Sequence, residues 1–286
     1  MLFGRHSRTR RHVFGRPPKT SMLSTARPQK PRESVGLLKS AAKAVIPYDT
    51  RQQLRRAVAR PMQFGLARYC PCCKAHLRRF RPYGLSSRPE ARCPVCGSLD
   101  RHRLIYLYMT QKTDLFDGHP KNMLHIAPEP QLSRLFQNAD GIDYLSADLY
   151  SPYAMEKMDL ADIRYPDGTF DVIYCSHVLE HVEDDRKAMR EFYRVLKAGG
   201  WAILQVPISA GTTFEDPTVI SPEERERLFG QHNHVRRYGV DYKDRLAEAG
   251  FHVSVDGFVR ELDDRAASRF GLMRSEDVYL CQKGTP

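Results

Sequence analysis

Forty-three residues in the middle of the chain, PDGTFDVIYCSHVLEHVEDDRKAMREFYRVLKAGGWAILQVPI (166–208), constrain the fold more than any other stretch. They read as strand, helix, strand. Phe170–Cys175 is a short apolar run of strand length. Glu183, Asp184 and Asp185 then open a helix, where its dipole favours negative charge. Ala188, Met189, Phe192, Val195 and Leu196 make one apolar stripe along it. Gly199–Gly200 is expected to end the helix with a left-handed cap. The following WAILQVP is a continuous apolar run, as in a strand covered on both faces.

The same alternation extends on both sides. Strands are expected at Met123–Ile126, Tyr144–Ala147, near Met158, His252–Val255 and Val278–Gln282. Helices are expected at Glu129–Asn138, with Pro130 in its first turn, and at Asp241–Ala249. Such a pattern predicts an α/β fold with a mainly parallel sheet and helices on both faces. No run of 18 apolar residues exists, so no transmembrane helix is expected.

Ahead of this domain the composition changes. Residues 1–110 carry a net charge of +20, whereas residues 111–286 carry −9. A basic front half suggests contact with nucleic acid or another acidic surface, a solvated tail being the plain alternative. Residues 1–34 lack hydrophobic periodicity and are expected to be disordered. Their Arg-rich, acid-poor composition also fits an organellar transit peptide. Residues 35–60 suggest two basic helical stretches, the second stopping at Pro61.

Cys70 and Cys73, then Cys93 and Cys96, form two C-x2-C pairs separated by nineteen residues. This is zinc-ribbon spacing, and four thiolates complete a closed, structural Zn2+ site. Cys72 is a spare that either substitutes for Cys70 or faces solvent. Paired metal-type cysteines also favour a reducing, cytoplasmic home. Residues 100–111 are expected to form a helix linking the ribbon to the large domain. The division is then a basic extension (1–60), a ribbon-like module with its linker helix (66–110) and the large domain (111–286).

From Asp159 to Ile208 the sequence resembles class I S-adenosylmethionine-dependent methyltransferases, in particular the type 11 group. An acid, a Pro-Asp-Gly-x-Phe-Asp turn, a Leu-Glu-His and an Arg-Val-Leu-Lys-x-Gly-Gly occur in that group's order. FGQHNHVRRYGVDYKDRLAEAGF resembles the group's loop after the fifth strand and the helix behind it. The resemblance covers residues 121 to 283. It implies a Rossmann-like seven-stranded sheet whose last strand is antiparallel, with S-adenosylmethionine at the carboxyl ends of the strands. It also implies that Asp148 binds the ribose hydroxyls and that Asp159 and Leu160 contact adenine. Cys175, Ser176 and His177 then lie beside the sulfonium.

One departure stands out. The group opens with an acid and a Gly-x-Gly-x-Gly turn, but here the segment is MLHIAPEPQL (123–132). His125 replaces the acid, Ala127 stands at the first glycine, and Glu129 stands near the second. Glu129 is expected to hold the cofactor's ammonium. Among the candidate bases His177, His181, His232 and His234, the sequence reading favours His234, with His177 nearer the methyl group. Arg236 and Arg237 are candidates for an acidic acceptor or plain surface charges. A zinc ribbon before such a domain also looks like the guanine-modifying ribosomal-RNA methyltransferases, which makes RNA a candidate acceptor beside small molecules and glycans. The alternative is a zinc-ribbon nucleic-acid-binding protein whose methyltransferase-like domain is inactive. The altered first motif favours that alternative, and Asp148 and Asp159 favour the enzyme.

Overall fold

The computed structural model describes residues 48–84 and 87–285. The expectations for residues 1–34 and for a helix before Pro47 lie outside the described residues. Two compact units divide the chain, Met1–Arg51 and Gln52–Pro286. Only the opening of the first helix is described in the former. That helix, α1 (Tyr48–Met62), keeps Pro61 in its last turn instead of stopping before it. A proline so near the end removes a single backbone bond, so the helix runs one residue further.

Two small hairpins follow. Strand β1 (Arg68–Cys70) pairs antiparallel with β2 (Ala75–Leu77), and β3 (Arg81–Tyr83) with β4 (Arg88–Arg92). Helix α2 (Asp100–Lys112) leads into the large sheet. That sheet uses β5 (Lys121–Ile126), β6 (Ile142–Asp148), β7 (Glu156–Lys157), β8 (Phe170–Ser176) and β9 (Leu196–Gln205). Beyond it, β10 (Ile208–Ala210) and β11 (Phe214–Glu215) flank β12 (Arg236–Gly239) in a separate three-stranded patch. Strands β13 (His252–Asp256) and β14 (Val278–Gln282) return to the large sheet, whose order is β13-β14-β9-β8-β5-β6-β7. Strands β5 to β9 pair in parallel, and β14 runs antiparallel to both its neighbours. This is the Rossmann-like seven-stranded arrangement with an antiparallel last strand. The order reverses at β5 and β8, which places the ligand crevice at their carboxyl ends.

The central strands β5 and β8 and the second half of β9 are mostly apolar because both their faces are covered. Alternate residues divide between two cores, as the two-residue period requires. Met123, Val172, Tyr174, Trp201 and Ile203 belong to one. Leu124, Ile173, Cys175, Ala202 and Leu204 belong to the other. The second core receives Ala188, Met189, Phe192 and Val195, the stripe of helix α4 (Asp185–Val195); helix α3 (Pro130–Gln137) instead sends Leu132 and Phe136 into the first. The first core is continuous with the cysteine segment: Cys70, Leu77, Phe80, Leu104 and Met109 join it. Residues 66–110 therefore close one face of the sheet.

Gly199–Gly200 takes a role other than the expected one. Helix α4 ends at Val195, and Leu196 already opens β9. Gly199 adopts φ +77° within extended chain, where the register of β8 and β9 shifts between Phe170 and Val172. A β-carbon on Gly200 would stand 2.8 Å from the Asp171 carbonyl oxygen. The glycines thus make a bulge and a close approach in the strand.

Candidate functional site

At the end of β5 the chain turns through Ala127, which holds φ +47°, a left-handed conformation that normally selects glycine. The substitution read from the sequence thus keeps the turn's backbone at the expense of strain. His125, one of the candidate cofactor residues, is fully buried behind the turn, its Nδ1 2.9 Å from the Tyr144 hydroxyl. It packs among Phe136, Tyr144 and Tyr174. Burial keeps its pKa below the usual histidine range.

Glu129 occupies an unexpected place. Its Oε1 lies 3.1 Å from His102 Nε2 and 3.7 Å from Arg101 Nε, both on α2, and its Oε2 lies 3.7 Å from His125 Nε2. Burial opposes ionisation, but His102 and His125 outweigh it and hold the carboxyl well below the usual range. The carboxylate therefore ties the helix after the cysteine segment to the first turn of the sheet. Its Oε2 is buried with no hydrogen-bond partner among the described residues, so an acceptor remains there for a cationic ligand group.

Asp148 stands at the end of β6. Its Oδ1 accepts from the backbone amides of Tyr150 at 2.7 Å and Ser151 at 2.6 Å, which shapes the next loop and leaves Oδ2 for a ligand. Asp159 makes a similar turn, accepting from Ala161 N at 2.9 Å, and Leu160 beside it is buried. These carboxylates and the glycine-like turn suit the adenosine and amino-acid ends of S-adenosylmethionine.

A cavity of about 540 Å³ opens at the ends of β8 and β9. Ser176 and His177 form one wall, Arg88 and Arg101 of the cysteine segment and α2 another, and Glu276 a third. Burial, with Asp100 nearby, raises Glu276 above the usual carboxylate range. His177 adopts φ +56°, and its Nδ1 faces Glu180 Oε1 at 3.4 Å. His234 sits deeper, its Nδ1 3.1 Å from the Phe229 carbonyl and its ring 4.7 Å from that of His181. Burial lowers its pKa. His232 is exposed. Of the four candidate bases, only His177 lines this cavity.

Arg236 is buried and binds the carbonyls of Leu179, Val182 and Glu183 together with Glu215. It therefore staples β12 to the loop after β8. Arg237 donates to Ser209 O at 2.8 Å.

The sulfurs of Cys70, Cys73, Cys93 and Cys96 lie within 4.8 Å of one another. Cys70 Sγ is 3.7 Å from Cys96 Sγ, and Cys73 Sγ is 3.9 Å from Cys93 Sγ. A tetrahedral ion with Zn–S near 2.3 Å requires sulfur separations of about 3.8 Å. Cys72 follows neither expected course: it is buried against α2, its Sγ 3.8 Å from the His102 carbonyl oxygen. In a segment so closely packed on the sheet, the residue between two paired cysteines faces the core.

Several important residues had no sequence signal. Arg88, Arg101, His102 and Glu276 acquire their places from segments distant in the chain, whereas Glu180 was marked only as part of the Leu-Glu-His motif. The run DRHR (100–103), directly after the second cysteine pair, was the nearest hint.

Part of the chain is similar to known proteins. A family described as a methyltransferase domain, the type 11 group, matches residues 122–204. Ajmaline N-methyltransferase of Rauvolfia serpentina is 31% identical over 77 residues, covering 27% of this chain and 26% of that one. The 27-O-demethylrifamycin SV methyltransferase of Amycolatopsis mediterranei is 30% identical over 139 residues, covering 46% of this chain and 48% of that one. The chain thus spans less than half the length of these relatives. The solved structure of a SAM-dependent methyltransferase from Archaeoglobus fulgidus aligns with TM-score 0.42 and 15% identity, over 63% of this chain and 93% of that one. No described helix is long and apolar enough to cross a membrane. The segment that matches the methyltransferase-domain family, residues 122–204, runs from β5 to β9, so the likeness falls on the strands that frame the crevice.

Proposed function

We propose that the chain transfers a methyl group from S-adenosylmethionine to an acceptor entering the cavity at the ends of β8 and β9. The observation that supports this most is the placement of Asp148 and the Ala127 turn on one side of the strand-order reversal and Ser176 and His177 on the other. In this reading Asp148 takes the ribose hydroxyls, and Asp159 and Leu160 take the adenine. The backbone at Ala127 and the Oε2 of Glu129 take the amino-acid end, with His125 supporting the turn from behind. Ser176 and His177 border the sulfonium.

Methyl transfer from a sulfonium depends mainly on positioning the acceptor in line. Where the acceptor must lose a proton, His177 is the base, oriented by Glu180. Small molecules, glycans and RNA remain acceptor classes to test, and the positive charge of residues 1–110 is what supports RNA. Cys70, Cys73, Cys93 and Cys96 would hold a structural Zn2+, for which their sulfur spacing is suited. A reducing compartment such as the cytoplasm suits these free thiols.

The rival reading, a nucleic-acid-binding protein with an inactive methyltransferase-like domain, draws on Ala127 and on the ties of Glu129 to His102. Titration calorimetry with S-adenosylmethionine separates the two. We expect measurable binding, weakened about tenfold or more in Asp148→Asn through the loss of charge-assisted bonds to the ribose. Absence of heat at millimolar ligand with folded protein would rule out the methyltransferase reading.

A further inference from the structure

Beside the cavity lies a second cluster of metal-ligating side chains, separate from the cysteines. One donor atom from each of Glu180, His181 and His234 falls within 4.8 Å of the other two. The short helical turn Leu179–His181 supplies the first two, and the segment before β12 supplies the third. We infer that these three residues form a site for a divalent metal ion of intermediate softness, such as Co2+, Fe2+ or Zn2+.

Three independent observations carry this. First, both imidazoles are held in the ligating tautomer. His181 Nδ1 lies 3.1 Å from the Asn233 carbonyl oxygen, and His234 Nδ1 lies 3.1 Å from that of Phe229. A carbonyl oxygen only accepts, so Nδ1 carries the proton in each ring and Nε2 keeps its lone pair. Backbone carbonyls orient metal-binding histidines in just this way. Second, Glu180 is 2% exposed, and its Oε2 is buried without a hydrogen-bond partner among the described residues. A buried carboxylate oxygen without a donor is costly, and a cation removes that cost. Its other oxygen faces His177 Nδ1 at 3.4 Å, so one carboxylate can serve the metal and the cavity-lining histidine together. Third, the two rings meet edge to face with centroids 4.7 Å apart, a separation at which two Nε2 atoms can share one ion.

Two imidazoles and one carboxylate suit this group of metals better than Mg2+ or Ca2+, which prefer all-oxygen shells. Three protein ligands also leave coordination positions open for oxygen ligands. His177 links the site to the cavity at the end of β8. The site stands on its own geometry and does not depend on methyl transfer.

The test is a Co2+ titration of the full chain with its cysteines already loaded with zinc, followed by absorption spectroscopy. The expected result is one equivalent of bound cobalt with weak ligand-field bands and no thiolate charge-transfer band. His181→Ala and Glu180→Gln, each checked for folding by circular dichroism, should weaken this binding at least tenfold. Lack of a nitrogen- and oxygen-ligated cobalt signal at millimolar metal overturns the site. So does a signal that survives both folded variants. Calorimetry with S-adenosylmethionine on the same samples distinguishes failure of this site from failure of the methyltransferase reading.

Discussion

Ala127 carries a β-carbon in a left-handed turn, φ +47°, at the point where the cofactor is expected to approach the backbone. Glycine would relieve that strain, while giving the unfolded chain more freedom. Because αL costs an L-residue about 1–2 kcal/mol, Ala127→Gly should stabilise the fold by a net ~0.5–1 kcal/mol, readable in urea denaturation. It should leave Asp148-dependent cofactor binding intact. The motif change at this residue was plain in the sequence. Its consequence was not, because the backbone angle that makes an alanine costly is set by the strand and helix on either side. Glu129 teaches the same lesson. Its identity invites an ammonium partner, but His102, twenty-seven positions earlier in the chain, reaches it first because α2 lies over the turn.

Among the elements, α2 does more than link two modules. Arg103 is buried in its first turn and donates to the carbonyls of Glu90, Ala91 and Ser98 in the cysteine segment and of Phe270 and Gly271 near the C-terminus. Its guanidinium also stacks 3.8 Å from the Phe80 ring centroid. Replacement by methionine leaves several buried carbonyls without donors. Arg103→Met should therefore cost about 3 kcal/mol or more, measured by chemical denaturation. The patch around β11 and β12 offers a pH signature. Hydrogen bonding to Arg245, against the opposing effect of burial and with help from Arg236, holds Glu215 down at about 2. A carboxylate lowered in the folded state stabilises above its ordinary range near 4.5, and that stabilisation is lost as pH falls toward about 2. Melting temperatures of wild type and Glu215→Gln should accordingly differ at neutral pH and converge in acid. The bounds of the main-sheet strands other than β9, and of helices α3 and α4, were legible to within a few residues, since periodicity and apolar runs are local properties, whereas β10 to β12 carried no such run. The Gly199–Gly200 bulge was not, because a helix cap and a strand bulge both call for glycine.

At the scale of the whole molecule, the cysteine segment and the sheet share one core. If the four cysteines hold structural zinc, removing it should disturb more than the hairpins. Stripping the metal with a chelator, or replacing Cys93 by serine, should lower the melting temperature of the entire unit in one cooperative transition. An early, separate melting step with an unchanged main transition would show instead that the segment is an independent module.

The sequence by itself determined the fold class, the succession of the main-sheet strands along the chain and the two C-x2-C pairs, because each is written in spacings of a few to about twenty residues. The resemblance its motifs carry pointed to Asp148 and Ser176, which do stand at the ends of β6 and β8. Only the tertiary structure decided which histidine faces the cavity, what Glu129 touches, and that Glu180, His181 and His234 converge. Those relations join residues up to 54 positions apart in that cluster and far more where Arg103 meets Gly271. They follow from the packing of whole elements across the sheet, a distance in space that no local pattern along the chain encodes.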